Sequence, residues 1–270
     1  MRLNTVKSNL KVDASPHGAA TSPESLASAM ILAAGRGERM RPLTDATPKP
    51  MLAVHGKPLM QWHIEALAHA GHHDQLINTA WLGPQIEAHF GLALDLPNSG
   101  RVRLRYSHEG KVFGHALETA GGIVRALPYL APIFWVVAGD IYAPKFDFSS
   151  PIAADFVSSD KLAHIWVVPN PAHNPNGDFG LSPEGAALNL PKTANLLTFS
   201  TIALYKKEFF ATALTGVPDG NPQGTVLALA PLLRAAMDRG LVSASLYTGA
   251  WTDVGTPERL RELNQSPATP

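Results

Sequence analysis

The sequence contains no cysteine, which excludes disulfide scaffolds, thiolate zinc sites and cysteine-ligated iron–sulfur clusters. It has no excess of either charge, with 22 basic and 22 acidic residues in 270, and this argues against a nucleic-acid-binding protein. It also lacks any apolar run near the roughly 18 residues that cross a bilayer. Apolar residues make up 45% of the chain, which excludes a disordered protein. We therefore expect a soluble, cytoplasmic, globular protein that binds neither nucleic acid nor membranes.

The two ends of the chain differ in composition from its middle. Residues 1–27 are rich in Ser, Ala, Asn and Pro, and they lack the apolar core of about 7–15 residues that a signal peptide needs. The sequence predicts a disordered extension there, or a start assigned too early with Met30 near the true beginning. Residues 264–270 are interpreted as a frayed terminus. One folded domain is expected between them, over residues 28–263.

Short apolar runs alternate with amphipathic stretches along most of this domain. Strands are predicted at 30–34, 74–79, 102–106, 133–138, 163–168 and 197–205, and helices at 58–69, 84–90, 119–127 and 227–239. Strands and helices that take turns along the chain are typical of βαβ units. The predicted fold class is therefore α/β, a mainly parallel sheet flanked by helices.

A glycine-rich loop follows the first predicted strand. It reads Leu32-Ala33-Ala34-Gly35-Arg36-Gly37-Glu38-Arg39, and Pro48-Lys49-Pro50 follows shortly after it. Glycines at 35 and 37 let backbone N–H groups approach a phosphate closely, and Arg39 and Lys49 add positive charge. The loop lacks the Gly-Lys-Ser/Thr ending of a Walker A motif and the third glycine of the dinucleotide-binding fingerprint. By itself, Gly-x-Gly is equally compatible with a tight surface turn.

Two aspartates follow apolar segments. Asp140 comes after the predicted strand at 133–138, at the edge where ligands bind in open α/β sheets. Asp253 follows Trp251 and precedes a Pro-Glu pair. Taken alone, Asp140 is as compatible with a turn as with a metal ligand, and Asp253 is compatible with the start of a helix.

The string from 31 to 51, together with the two aspartates, resembles the signature of the sugar-phosphate nucleotidyltransferases, which join a nucleoside triphosphate to a sugar 1-phosphate and release pyrophosphate. The resemblance implies a Rossmann-like, glycosyltransferase-A-like nucleotidyltransferase domain over residues 28–263. It implies that Arg39 stabilises the leaving pyrophosphate and that Lys49 contacts the phosphates at the reacting centre. Asp140 and Asp253 are then the ligands of Mg²⁺, the expected cofactor. The residues expected to contact the nucleotide are Leu32, Ala33, Ala34, Gly35, Arg36, Gly37, Thr119 and Gly121.

Further stretches, among them residues 78–86 and 251–260, most resemble one group within this family, the uridylyltransferases of bacterial cell-wall recycling. This implies UTP and N-acetylmuramate 1-phosphate as small-molecule substrates and implies no protein partner. The loop over 169–180 is rich in Asn, Pro and Gly but short of fixed positive charge. We therefore expect hydrogen bonds, and not an ion pair, to hold the lactyl group of the sugar. The residues expected to border the sugar are Asn170, Asp178, Gly180, Phe199 and Ser200.

Some features depart from the family pattern. Thr201 stands where a glycine usually follows the Phe-Ser pair, and the second lysine motif of the wider family has only Lys192 as a candidate. One alternative is therefore a mannose- or glucose-1-phosphate nucleotidyltransferase. Another is a non-catalytic paralogue that binds a nucleotide sugar. The joint presence of all four predicted catalytic residues favours an enzyme.

Overall fold

The computed structural model describes residues 26–191 and 194–267, so the predicted extension up to residue 25, Lys192 and residues 268–270 lie outside the described part. The strands are β1 Ala27–Ala33, β2 Ala53–Val54, β3 Lys57–Pro58, β4 Asp74–Thr79, β5 Ala93–Leu96, β6 Gly100–His108, β7 Leu130–Ala138, β8 Ile141–Tyr142, β9 Ala163–Val168, β10 Gly180–Leu181, β11 Ala187–Leu188, β12 Thr198–Lys206, β13 Val242–Leu246 and β14 Thr252–Asp253. The α-helices are α1 Leu43–Ala46, α2 Leu59–His69, α3 Gly83–Phe90, α4 Glu109–Phe113, α5 Glu118–Ala126, α6 Pro151–Ser158, α7 Thr212–Thr215, α8 Leu229–Met237 and α9 Pro257–Gln265. Short 3-10 helices lie at Glu38–Met40, Lys49–Met51, Leu127–Tyr129 and Lys207–Phe210.

The central sheet has eight strands in the order β13-β9-β12-β7-β1-β4-β6-β5. β12 runs antiparallel to both of its neighbours, and β5 runs antiparallel to β6. The remaining pairs in this sheet are parallel. The prediction of a mainly parallel α/β sheet is therefore confirmed, with β12 as an internal strand of opposite direction.

The strand order reverses around β1. The next strand of this sheet along the chain, β4, lies on one side of β1, whereas the later strand β7 lies on its other side. Connections that leave a strand in opposite directions open a crevice at its carboxyl end, and ligands of open α/β sheets bind there. The glycine-rich loop begins at this point, directly after Ala33.

Both faces of the sheet are covered by helices, as the continuous apolar strands require. On one face, Met30 of β1 and Val136 of β7 pack with apolar residues of α5 and α8. On the other face, Ile31 and Val137 pack with α2, α3 and α6. None of the helices in the described part of the chain is long and apolar enough to span a membrane.

The buried strands were the easiest elements to predict. Predicted strands at 74–79 and 163–168 coincide with β4 and β9, and the run at 133–138 is the carboxyl-terminal part of β7. β5, α6 and β13 were not predicted. β13 has the sequence Val-Ser-Ala-Ser-Leu, and its small and polar residues do not form a recognisable apolar run. Such a sequence suits its position at the edge of the sheet.

A buried histidine on β9 links the stability of this sheet to pH. The imidazole of His164 is 5% exposed, its Nδ1 lies 2.8 Å from Ser243 Oγ, and burial lowers its pKa from 6.5 to about 4. Between these pH values the unfolded chain binds a proton that the folded chain does not, so stability is complete above about pH 6.5 and falls as the pH approaches 4. The largest contribution is on the order of 3 kcal/mol, because one pKa unit corresponds to about 1.4 kcal/mol.

We expect His164→Gln to reduce the decrease in unfolding free energy between pH 6.5 and pH 4 by about 3 kcal/mol, measured by urea denaturation, and to leave the similar contribution of the buried His63, whose pKa burial also lowers to about 4. Glutamine keeps a polar group near Ser243 but takes up no proton. His69→Gln, at the exposed end of α2, is the matched control and should retain the full decrease. An unchanged pH profile in His164→Gln would contradict this linkage.

Candidate active site

A cleft of about 800 Å³ opens at the carboxyl ends of β1, β4 and β7. It contains ten of the residues that the sequence predicted for the site. These are Leu32, Ala33, Ala34, Gly35, Arg36, Lys49, Thr119, Asp140, Asp178 and Phe199. The cleft also contains residues that were not predicted, among them Asn78, Glu118, Thr201 and Arg234.

The glycine-rich loop forms one wall of this cleft. Gly37 has a φ of +66°, in the left-handed region that favours glycine, and an added Cβ would lie 3.1 Å from both Lys49 Cβ and Thr44 Cγ2. Gly35 has open space around the position of a Cβ. Arg36 is held by Thr44 O and Asp45, and its guanidinium lies 3.6 Å from the centre of the Trp81 ring. The loop is thus fixed by side chains, and its backbone remains open at Gly35.

A buried hydrogen-bond network connects the loop to the segment that was predicted to meet the base. Ala33 N–H donates to Asn78 Oδ1 at 2.8 Å, Asn78 Nδ2 donates to Glu109 Oε1 at 2.7 Å, and Leu117 N–H donates to Glu109 Oε2 at 2.7 Å. Burial raises the pKa of Glu109, although these bonds to its carboxylate oppose the effect. A Cβ at Gly122 would lie 2.5 Å from Glu109 Oε1, so the small residue there makes room for this network.

Sequence reasoning missed Asn78 and Glu109. The one available signal for Asn78 was its amide side chain at the end of an otherwise apolar strand. Buried polar groups of this kind are satisfied by partners, and the partner of Asn78 comes from a segment that no pattern connected to it.

Lys49 and Asp140 meet in the centre of the cleft. Lys49 Nζ donates to Asp140 Oδ2 at 2.5 Å. Lys49 is only 8% exposed, and a buried ammonium group is tolerated when a carboxylate neutralises it. Asp140 directly precedes β8, whose Ile141 O lies 2.8 Å from Nε2 of the buried His63 on α2. Burial lowers the pKa of His63 to about 4, so this imidazole is neutral near pH 7.

Asp253 lies beside Asp140 because β14 pairs with β8. Val254 N–H donates to Asp140 O at 2.9 Å, and Asp253 is aligned with Ile141. The Asp253 carboxylate forms an ion pair with Arg259 of α9, and its Oδ1 lies 2.7 Å from His173 Nε2. The loop that was predicted to border the sugar thus contacts this carboxylate through His173.

The two aspartates have the ligand chemistry that Mg²⁺ requires. The described residues contain no group of three or more His, Asp or Glu side chains arranged to hold a metal. Mg²⁺ does not need such a cage, since it binds one or two carboxylates and completes its octahedron with phosphate oxygens and water. Asp140 in the cleft, with Asp253 on the strand that pairs with β8, supplies the one or two carboxylates that this ion needs.

The opposite end of the cleft is formed by Asp178, Phe199 and α8. Asp178 Oδ2 accepts hydrogen bonds from Phe199 N–H at 2.9 Å and Asn174 Nδ2 at 3.2 Å. Thr201 has a φ of +62° and lies where the pairing of β12 with β9 is irregular. A left-handed backbone favours glycine, so the threonine at 201 occupies a conformation that is unusual for its residue type.

Some predicted site residues do not line the cleft. Gly121 donates its N–H to Leu227 O, and a Cβ there would lie 2.7 Å from Thr225 O, so it allows close packing of α5 against that segment. Ser200 is buried, and its Oγ donates to Trp166 O at 2.7 Å. Those outside the cleft are Arg39, Gly37, Gly121, Asn170, Gly180, Ser200 and Asp253. Their roles toward a substrate remain predictions.

The sequence pattern of the family described as Nucleotidyl transferase matches residues 28–269. The N-acetylmuramate alpha-1-phosphate uridylyltransferase of Neisseria meningitidis serogroup B is 47% identical over 236 residues, which cover 87% of this chain and 95% of that protein. The protein of the same name from Caulobacter vibrioides is 28% identical over 244 residues, with 85% and 92% covered. Among solved structures, HddC from Yersinia pseudotuberculosis has a TM-score of 0.64 at 20% identity, covers 88% of this chain and 97% of its own, and shares the fold.

Proposed function

Because the chain belongs to the nucleotidyl transferase family, we propose that it transfers a uridylyl group from UTP to N-acetylmuramate 1-phosphate. An oxygen of the sugar phosphate attacks the α-phosphorus of UTP in line. The bond from the α-phosphorus to the bridging oxygen breaks, and pyrophosphate leaves with the electron pair. The products are UDP-N-acetylmuramate and pyrophosphate. The compartment that we propose is the cytoplasm, where UTP is available.

The reaction needs no general base, because a phosphate monoester is already largely ionised near pH 7, with a second pKa of about 6. The work of the protein is therefore positioning and charge neutralisation. Backbone N–H groups around Gly35 bind the triphosphate. Lys49 stabilises the charge that builds up at the α-phosphorus, and the exposed Arg39 neutralises the leaving pyrophosphate.

We propose Mg²⁺ as the cofactor, held by Asp140 and Asp253. When bound, the ion would supply positive charge to phosphate oxygens at the reacting centre. The pairing of β8 with β14 brings the backbones of the Asp140 and Asp253 segments together. Lys49 and Arg259 form ion pairs with Asp140 and Asp253, and these ion pairs orient the two carboxylates.

The observation that carries the proposal is the position of the Lys49–Asp140 pair. It lies where the strand order reverses, between the glycine-rich loop and the Asp178–Phe199 end of the cleft. The Asp140 carboxylate thus lies between the loop that we propose binds the triphosphate and the end of the cleft that we propose binds the sugar. The choice of UTP and of the sugar is supported by the 47% identity to the Neisseria protein over most of both chains.

A pyrophosphate-release assay over a matrix of substrates tests the proposal. UTP, dTTP and GTP are each combined with the 1-phosphates of N-acetylmuramate, N-acetylglucosamine, glucose and mannose. We expect kcat/KM with UTP to be highest for N-acetylmuramate 1-phosphate, by at least roughly tenfold, which corresponds to one good hydrogen bond or about 1.4 kcal/mol. Equal or faster turnover of glucose or mannose 1-phosphate would reject the sugar assignment and retain the nucleotidyl transfer. Absence of turnover with every pair would favour the non-catalytic paralogue.

A further inference from the structure

Arg234 brings a positive charge into the cleft from α8. Its Nη1 donates to Asn189 Oδ1 at 2.7 Å, and its Nη2 donates to the main-chain oxygen of Asp178 at 3.1 Å. The guanidinium lies 5.0 Å from the centre of the Phe179 ring. Both acceptors are neutral, and within residues 26–191 and 194–267 no carboxylate forms an ion pair with Arg234. The guanidinium is therefore oriented by the protein but not neutralised by it.

The nearest acidic side chains are occupied by other donors. The Asp178 carboxylate accepts from Phe199 N–H and from Asn174 Nδ2. The Asp238 carboxylate accepts from Asn189 Nδ2 at 3.0 and 3.1 Å. Asn189 thus separates Asp238 from Arg234, and the charge of Arg234 stays available to an anion in the cleft.

Arg234 lies at the end of the cleft that is proposed to bind the sugar. The glycine-rich loop follows β1, whereas Phe199 belongs to β12, on the other side of β7. Asp140 follows β7 and lies between these two sides. Arg234 contacts Asp178, whose carboxylate is bonded to Phe199, so it lies on the side away from the triphosphate loop.

We propose that Arg234 binds the lactyl carboxylate of N-acetylmuramate 1-phosphate and thereby selects an acidic sugar over a neutral one. The proposal rests on the proposed function. A guanidinium presents its N–H groups in a planar fork that matches a carboxylate, and the N–H groups that Asn189 and Asp178 leave unused remain for the ligand. The loop over 169–180 is short of fixed charge, as the sequence indicates, but α8 supplies the charge that the loop lacks. An ion pair then replaces the expected neutral hydrogen bonds.

The test compares N-acetylmuramate 1-phosphate with its lactyl carboxamide, which has the same shape without the charge. In the unaltered enzyme we expect kcat/KM for the acid to exceed that for the amide by roughly 30-fold, as a hydrogen bond between charged groups allows. In Arg234→Gln, kcat/KM for the acid should fall to within about threefold of kcat/KM for the amide, mainly through KM, because the acid loses at least about tenfold more than the amide.

Two further variants separate charge recognition from packing. Arg234→Lys should recover part of the preference for the acid, because it restores the charge without the fork. Arg239 is exposed and lies just after the same helix, so Arg239→Gln should leave kcat/KM unchanged for both the acid and the amide. Equal losses for acid and amide in Arg234→Gln would mean that Arg234 only supports Phe179 and Asn189, and would overturn the proposal. No preference for the acid in the unaltered enzyme would also overturn it. Failure of the proposed function is distinct, since the unaltered enzyme would then release no pyrophosphate from UTP and N-acetylmuramate 1-phosphate.

Discussion

Replacing Asp140 by alanine is expected to lower kcat by roughly three orders of magnitude, and Asp253→Ala is expected to have an effect of similar size. Each change removes one of two carboxylates that would hold Mg²⁺ against the reacting phosphates, and charge stabilisation of this kind contributes several kcal/mol. Asp140→Ala also leaves the buried ammonium of Lys49 without its partner, which costs stability. Asp140→Asn is therefore the sharper variant, because it keeps a hydrogen-bond acceptor for Lys49 and removes the negative charge.

The measurement is pyrophosphate release at saturating UTP and sugar phosphate, with and without EDTA. Asp155→Ala serves as a control, since this aspartate is exposed on α6 and away from the cleft. Thermal melting checks that Asp140→Asn and Asp253→Ala remain folded. Full activity in EDTA, or in either folded variant, would eliminate the two-aspartate site.

Replacing Lys49 by alanine is expected to lower kcat and kcat/KM together by roughly 100-fold or more, the size of effect seen when a preorganised donor to developing charge is removed. Lys49 Nζ already lies 2.5 Å from Asp140 Oδ2 in the centre of the cleft, so its charge is in place before substrate binds. In the proposed mechanism, the attraction between the Lys49 ammonium and the phosphate oxygens would strengthen as the α-phosphorus gains a fifth oxygen. An interaction made mainly in the transition state affects kcat as well as kcat/KM.

Steady-state kinetics with UTP varied at saturating sugar phosphate distinguish the possible roles of Lys49. Lys145→Ala provides the control, since Lys145 is exposed and lies outside the cleft. If Lys49→Ala raised only the KM for UTP, Lys49 would be a binding residue, and the assignment of charge stabilisation at the α-phosphorus would be wrong.

Local patterns in the sequence predicted much of the fold. β1, β4, β7 and β9 are apolar enough to be recognised from short windows, because each is buried on both faces of the sheet. β5 and α6 were missed for the opposite reason, since both are largely exposed or half-buried and have no clear apolar periodicity. The reversed direction of β12 could not be predicted from its sequence, because a buried apolar strand has the same residue pattern in a parallel and in an antiparallel pair.

The amino-acid sequence by itself determined the glycine-rich loop, the lysine after it and the aspartate at the end of a buried strand. These features depend on the conformational freedom of glycine and on burial of neighbouring residues, which short segments encode directly. Only the tertiary structure decided that Lys49 meets Asp140, that Asn78 meets Glu109, and that Arg234 enters the cleft. The partners in such contacts are far apart in the chain. They come together through strand order and helix packing, which depend on the free energy of burying the whole core and not on any one segment.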